Sequence, residues 1–437
     1  MYKVNKIIIL LLSICLTSIV KAADLIDVYK RAIEYNTEIK YSNMDYKIAG
    51  EKYKQTRSSA YPDISLTAQT KKINIEKLRS STAVDDYTLD SYSINLTQPI
   101  FHLDLFDELE KSENYIKKSS IKKLNTKKEI ILDTTILYFE LIKNKNLLKA
   151  SKIKNKLLKE KLSNAHILFS KGYITNIELN KFINDYNLSE IDVEMYNNQL
   201  ISAKQDIHIF SGKEINDVHY LNLDINLEKQ KYNRQEIVNL AMQNEENIKM
   251  ALYDVRISRE DLASNKSQHY PTIDVVASYD FSESSSGARF GGSSQESTEV
   301  GIVLNFPIFQ GGYVSSQIKE SRYEYEKAQY ALDYIKKDVQ KKIINDYNKN
   351  ILLQNLIMTN RDNYNLSKEN LSAVQAGYKF GVYSDVEVLE AEYNLAQSRL
   401  NLEKSILDYI ITDLRLKKYT AELNANHIEK INKWLIW

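Results

Sequence analysis

The sequence is poor in the residues that punctuate or cross-link a fold: one cysteine, four prolines, eleven glycines and two tryptophans in 437 residues. The single cysteine, Cys15, lies in an N-terminal apolar run, so a chain that sheds this run can form no disulfide and no thiolate metal site. So few prolines and glycines exclude a globular fold of many short elements joined by tight turns. An excess of one charge is also missing. Lys and Arg number 59 against 58 Asp and Glu, which offers no basic surface for nucleic acid. Six histidines show no metal-ligand spacing, and neither a nucleophile elbow nor a phosphate-binding glycine loop is present. The expectation is a protein that is not an enzyme and holds no cofactor or metal.

The chain begins with Lys3 and Lys6, an apolar run from residue 7 to 20, and then Val20-Lys21-Ala22 with small residues spaced for a signal peptidase. Residues 1–22 therefore read as a cleavable secretory signal. The run is short for a membrane helix, and Ile14 is too large to precede a lipid-modified Cys15. Cleavage removes three lysines and leaves a nearly neutral, slightly acidic chain. With 27% charged residues and few turns, long helices with solvated faces account for the composition.

The two halves repeat. Ala32, Ile39, Lys40, Asp45 and Pro62 recur as Ala241, Ile248, Lys249, Asp254 and Pro271, all 209 residues on. Pro99 recurs as Pro307 and Gly172 as Gly381, so all four prolines belong to the repeat. The units are 23–231 and 232–419, with a tail at 420–437.

Each unit opens with an amphipathic helical stretch, at 24–58 and 234–264. Strands follow at about 61–72 and 87–99, and at about 270–283 and 297–307. They are marked by period-two runs such as Ile64, Leu66, Ala68 and Ile273, Val275, Ala277, Tyr279, Phe281. Each pair forms an antiparallel hairpin. The serine- and glycine-rich segment 282–297 reads as an exposed, mobile loop. Long helices are expected at about 103–170 and 313–376, each roughly 100 Å at ~1.5 Å per residue. Gly172 and Gly381 end them in reversals, and Thr175 and Ser384 stand as N-caps of return helices at about 176–208 and 385–417. The tail reads as a frayed helix or, alternatively, as a terminal aromatic assembly signal. The fold class is thus mostly α with a small β part, in two tandem repeats of helix, strand, strand, long helix and helix.

Strand gives way to helix at TQPIFH (97–102) and NFPIFQGG (305–312). Pro99 and Pro307 are expected to end the strand ladder for want of an N–H, and Gly311 and Gly312 to let the second junction turn differently from the first. Four alternating strands could form a soluble sheet with one packed face. They could also form part of a membrane barrel, which four strands cannot close. A dimer would give eight strands and a filled interior, whereas a trimer would give twelve and a lumen. A periplasmic coiled-coil adaptor or scaffold without a barrel is the alternative of another class.

The tandem units, LTQPIF, NFPIFQGGYVSSQ and AGYKFGVYSDVEVLEA together resemble the TolC family of trimeric outer-membrane channel-tunnels, from residue 24 to about 423. The resemblance implies a homotrimer in outer-membrane lipid, with a twelve-stranded β-barrel continued by a twelve-helix periplasmic α-barrel. It also implies passive export of proteins or drugs, driven by an inner-membrane transporter (ABC or proton-driven) through a periplasmic adaptor protein.

The same resemblance implies roles for single residues. Glu387 and Glu390 match acidic positions facing the periplasmic entrance; three copies would form a cation-selective ring whose like charges raise one another's pKa. Tyr378 matches a tyrosine that holds the entrance shut, and Glu178 an acidic gating partner. Tyr383 departs from the pattern, since the best-known member has an arginine there. A hydrogen bond from Tyr383 to Glu178 would be weaker than the charged link, and a leakier closed state is expected.

Overall fold

The computed structural model describes residues 24–74, 87–215, 217–228, 230–285 and 292–436. The expected signal at 1–22 and the tip of the serine- and glycine-rich loop lie outside the described residues. In chain order the elements are α1 (Leu25–Tyr35), α2 (Thr37–Ser58), β1 (Asp63–Ile73), β2 (Tyr87–Phe101), α3 (Leu103–Ser170), α4 (Asn176–Ser211) and β3 (Tyr220–Leu221). There follow α5 (Arg234–Asn244), α6 (Glu246–Ser267), β4 (Thr272–Ser284), β5 (Ser293–Asn305), α7 (Tyr313–Lys379), α8 (Asp385–Tyr419), α9 (Asn426–Asn432) and β6 (Leu435–Ile436). Two compact units form, one from described residues of Ser42–Lys123 and Asn247–Lys337 and the other from the remaining described residues.

The helical stretch that opens each half is two helices rather than one, with 11 and then 22 residues in both halves. At the first break Asn36 leaves helical geometry at ψ 128°, and its Oδ1 accepts from the Glu38 N–H at 2.8 Å, capping α2. Asparagine competes for backbone donors in this way, which favours a cap over an uninterrupted helix.

The unit containing the strands holds one antiparallel sheet of order β1-β2-β4-β5. Its register decides the chemistry of its faces. Ile64, Leu96, Ala277 and Val300 lie opposite one another across the four strands, as do Leu66, Ile94, Tyr279 and Thr298. The intervening rows are Ser65, Asn95, Ser278, Glu299 and Thr67, Ser93, Asp280, Ser297. Directly opposed residues share a face, so one side is largely apolar and the other polar. The apolar side is uncovered: Ile64, Leu66, Val300, Ile302 and Leu304 are 67%, 70%, 77%, 75% and 64% exposed. Tyr92 stacks on Phe281 with ring centroids 4.8 Å apart on this side.

Two expectations are corrected here. The loop at 282–297 is shorter than its composition suggests, because β4 runs to Ser284 and β5 starts at Ser293, with the Ser284 hydroxyl bonded to Ser293 across the pair. Serine hydroxyls satisfy each other across a hairpin, so a serine-rich stretch need not be loop. Pro99 does not end its ladder. It lies opposite Asp274, and β2 continues past a register shift to Phe101. Beyond Thr97 the strand has no partner on the β1 side, and a proline at such a half-edge is tolerated.

In the same unit, α3 is clamped to its neighbours by lysines. Lys111 pairs with Asp261 at 2.6 Å, Lys118 with Asp254 at 2.5 Å and Lys122 with Asp45 at 2.6 Å. These pairs are partly exposed, so each adds at most about 1 kcal/mol, but their spacing along α3 fixes the register of the helices against it.

The other unit holds a large hydrophobic cluster. Leu25, Tyr138, Phe139, Ile142, Ile207, Leu221, Ile406, Ile410 and Leu414 pack in one cluster. The tail belongs to it, contrary to the expectation of a frayed helix. Leu423, Ile428 and Ile431 are 2%, 1% and 3% exposed, and Leu435–Ile436 pair antiparallel with Tyr220–Leu221. Burying each isoleucine contributes about 1.5–3 kcal/mol, enough to hold a helix of seven residues that would melt alone. Lys128 and Glu246 form an ion pair here with side chains 7% and 3% exposed, and Lys128 also donates to the carbonyl of Ala421 at 3.3 Å.

Candidate functional site: the helical reversals and the strand-to-helix junctions

The two reversals have the same construction. At the first, Gly172 has φ 75°, its N–H donates to Phe169 O at 2.9 Å, and the Tyr173 N–H donates to Leu168 O at 2.9 Å. At the second, Gly381 has φ 72°, its N–H donates to Tyr378 O at 3.0 Å, and the Val382 N–H donates to Gly377 O at 3.0 Å. Both are Schellman caps, whose left-handed residue favours glycine because a Cβ would crowd the backbone.

Three residues further on, each return helix starts with a capping box. Thr175 accepts from the Glu178 N–H while Glu178 accepts from the Thr175 N–H at 2.8 Å. Ser384 and Glu387 do the same, with the Ser384 N–H 2.7 Å from Glu387 Oε2. The motif is legible as Thr-x-x-Glu and Ser-x-x-Glu. It gives Glu178 and Glu387 a local task that the family resemblance does not mention. Backbone N–H and hydroxyl donors on Thr175 and Ser384 hold both carboxyls below the usual glutamate range. Within one protomer Glu387 is thus shifted opposite to the direction expected from like-charge repulsion, because hydrogen bonds to the charged form favour ionisation.

Glu390, one turn beyond Glu387, pairs with Lys161 on α3 at 3.3 Å. The Asp385 carboxylate beside Tyr378 pushes its hydroxyl pKa up. Tyr383 lies against Gly377, where a Cβ would fall 2.5 Å from the ring. The structure therefore brings Tyr378 to Asp385 and Tyr383 to Gly377, while the Glu178 carboxylate is taken up by Thr175. Asp385, Lys161 and Gly377 were not singled out from sequence, since each acquires its partner only when the hairpins fold. Around the turns Tyr173, Ile177, Phe380 and Val382 are 74%, 82%, 85% and 70% exposed, an apolar surface at the hairpin tips.

The two junctions are built differently. After β2 only His102 precedes α3, and its Nε2 is 3.0 Å from Asp274 Oδ1. After β5, residues 306–312 intervene before α7, with Pro307 two residues past the strand and Gly311 and Gly312 at φ 63° and 84°.

A four-stranded sheet with an uncovered apolar face, joined to helices of 68 and 67 residues that reverse at glycines, is a fold shared with solved bacterial outer-membrane channels. Among solved structures, the Campylobacter jejuni CmeC outer membrane channel superposes with a TM-score of 0.72 at 15% identity, covering 95% of this chain and 90% of that one. VceC of Vibrio cholerae gives 0.71 at 15% identity, covering 91% and 95%. The family model described as outer membrane efflux protein matches residues 237–422. The Escherichia coli outer membrane protein TolC is 24% identical over 96% of this chain and 86% of its own length, and the alkaline protease secretion protein AprF of Pseudomonas aeruginosa is 19% identical over 94% and 87%. These matches bear out the resemblance to the TolC family.

Proposed function

We propose that the chain is one protomer of an outer-membrane exit duct for tripartite export, serving type I protein secretion, multidrug efflux or both. The carrying observation is the sheet: its register gives one apolar and one polar face, its apolar side chains are uncovered, and its outer strands β1 and β5 are each paired on one side only among the described residues. Open edges in hydrocarbon leave backbone groups unpaired at several kcal/mol each, so other copies must complete the barrel. Three copies give the twelve strands of a barrel with a water-filled lumen, continued in the periplasm by a twelve-helix tunnel. The two halves act as tandem repeats in this assembly. The names of the relatives support the reading, since they include outer membrane efflux and protease secretion proteins.

The duct is a passive conduit, not an enzyme. Energy comes from an inner-membrane transporter, ABC or proton-driven, reached through a periplasmic adaptor that meets the exposed apolar residues at the hairpin tips. Glu387 and Glu390 form the selectivity ring of the entrance; Tyr378, Glu178 and Tyr383 belong to its gate; Gly172 and Gly381 make the turns; and Pro99, Pro307, Gly311 and Gly312 mark the passage from barrel to tunnel. Fractionation tests the reading. The protein should remain with outer membranes after a high-salt wash and migrate as a trimer after cross-linking. Release into the soluble fraction would favour a periplasmic scaffold instead.

A further inference from the structure

We infer that Lys161 sets the charge of the entrance by neutralising Glu390 within each protomer. The inference rests on the exit-duct reading and deepens it by assigning a specificity-determining residue. Lys161 Nζ lies 3.3 Å from Glu390 Oε2, and the pair joins the first helical hairpin to the second, because α3 ends at the Gly172 turn and α8 begins after the Gly381 turn.

A second contact lies on the same seam. Asn146 of α3 donates to Glu403 of α8 at 2.6 Å. From 146 to 161 the first helix runs toward its turn, and from 403 to 390 the second is followed back toward its own, so the two contacts share one antiparallel seam, roughly 20 Å apart at ~1.5 Å per residue.

The two ends of the seam differ in their access to water. Glu403 is 2% exposed and is bonded by Asn146 and Arg399. The Lys161 and Glu390 side chains are 30% and 50% exposed. The inner contact is therefore little screened by salt, whereas the outer one competes with solvent ions and loosens with salt.

While the pair is made, Glu390 adds no net charge to the entrance, and the ring rests on Glu387 alone. Loss of Lys161 uncovers one further carboxylate per protomer and doubles the ring's charge. Lys154 is the internal control: it stands seven residues earlier on α3 but pairs with Asp192 of its own hairpin at 2.8 Å.

The test uses the purified full-length protein in planar bilayers, with hexaamminecobalt(III) as the blocking cation and a potassium chloride gradient for selectivity. Lys161→Gln should lower the half-blocking concentration about tenfold, equivalent to about 1.4 kcal/mol, and shift the reversal potential toward that of potassium. Lys154→Gln should leave both unchanged, and the exchange Lys161→Glu with Glu390→Lys should restore wild-type values. A conducting channel whose block and selectivity ignore Lys161→Gln overturns the inference alone. A wild-type protein that forms no conducting channel overturns the exit-duct reading and the inference with it.

Discussion

Asn146 on α3 donates its side-chain amide to the buried carboxylate of Glu403 on α8 at 2.6 Å, tying the first half of the chain to the second. Burial pushes the Glu403 carboxyl up, and the Arg399 and Asn146 donors work against that shift. Asn146→Ala removes a donor from a carboxylate that is almost wholly buried. It should cost about 1–3 kcal/mol, read as a lower thermal unfolding midpoint at neutral pH. Glu403→Gln, which keeps the shape without the charge, should cost less. An unchanged midpoint for Asn146→Ala would show that the seam is held elsewhere.

Asp133 is pushed up to about 6, first by burial and then by the nearby Glu129 and Glu38 carboxylates. Its folded pKa lies above the unfolded value, so the folded state binds the proton more tightly. The stability this provides is complete below about pH 4 and is lost as pH rises through about 6. At pH 7 the ionised group is a net cost, and Asp133→Asn should stabilise the protein by about 1–2 kcal/mol once solvent screening at this partly exposed site is allowed for. Denaturant titrations at pH 7 and pH 4 should show the gain at the first and none at the second. An equal effect at both would mean that titration of Asp133 is not its source.

The tail offers a packing prediction. Ile431 is 3% exposed in the core cluster, and Ile431→Ala should cost about 2–5 kcal/mol through lost transfer energy and a residual cavity. Proteolysis should then begin near residues 420–436 before the rest of the chain is cut. If the tail is cut no faster than in the wild type, its docking contributes little.

Gly377 and Tyr383 should behave as a coupled pair. A Cβ at Gly377 would fall 2.5 Å from the Tyr383 ring, so Gly377→Ala must displace the ring at about 1–3 kcal/mol. In Tyr383→Ala the same substitution should be nearly neutral, and the double-mutant cycle measures the difference. Additive effects would mean that the ring is free to move away.

The legible parts of this fold are those whose cause is local. Alternation at Ile273, Val275, Ala277, Tyr279 and Phe281 marks a strand because side chains of an extended chain alternate, and Thr272–Ser284 is one. Absence of glycine and proline over more than sixty residues marks α7, and Gly381 followed by Ser-x-x-Glu marks its end and the next start. The break at Asn36 was missed because a single asparagine in a polar amphipathic stretch is as compatible with a helix interior as with a cap. Tail docking was missed for a different reason: the apolar partners of Ile428 and Ile431 come from distant segments of the chain.

Composition and periodicity were sufficient for a mostly helical chain with a few alternating strands, two long helices and glycine reversals, because backbone geometry and turn chemistry act between near neighbours. Folding decided which charges meet. Lys161 opposite Glu390, Asn146 opposite Glu403 and Lys128 opposite Glu246 are each separated by more than one hundred residues, and only packing of one helix against another brings such groups within hydrogen-bonding distance. The register that puts Ile64, Leu96, Ala277 and Val300 on one face was likewise a tertiary outcome, since either pairing of alternating strands is open until the turns and bulges set it.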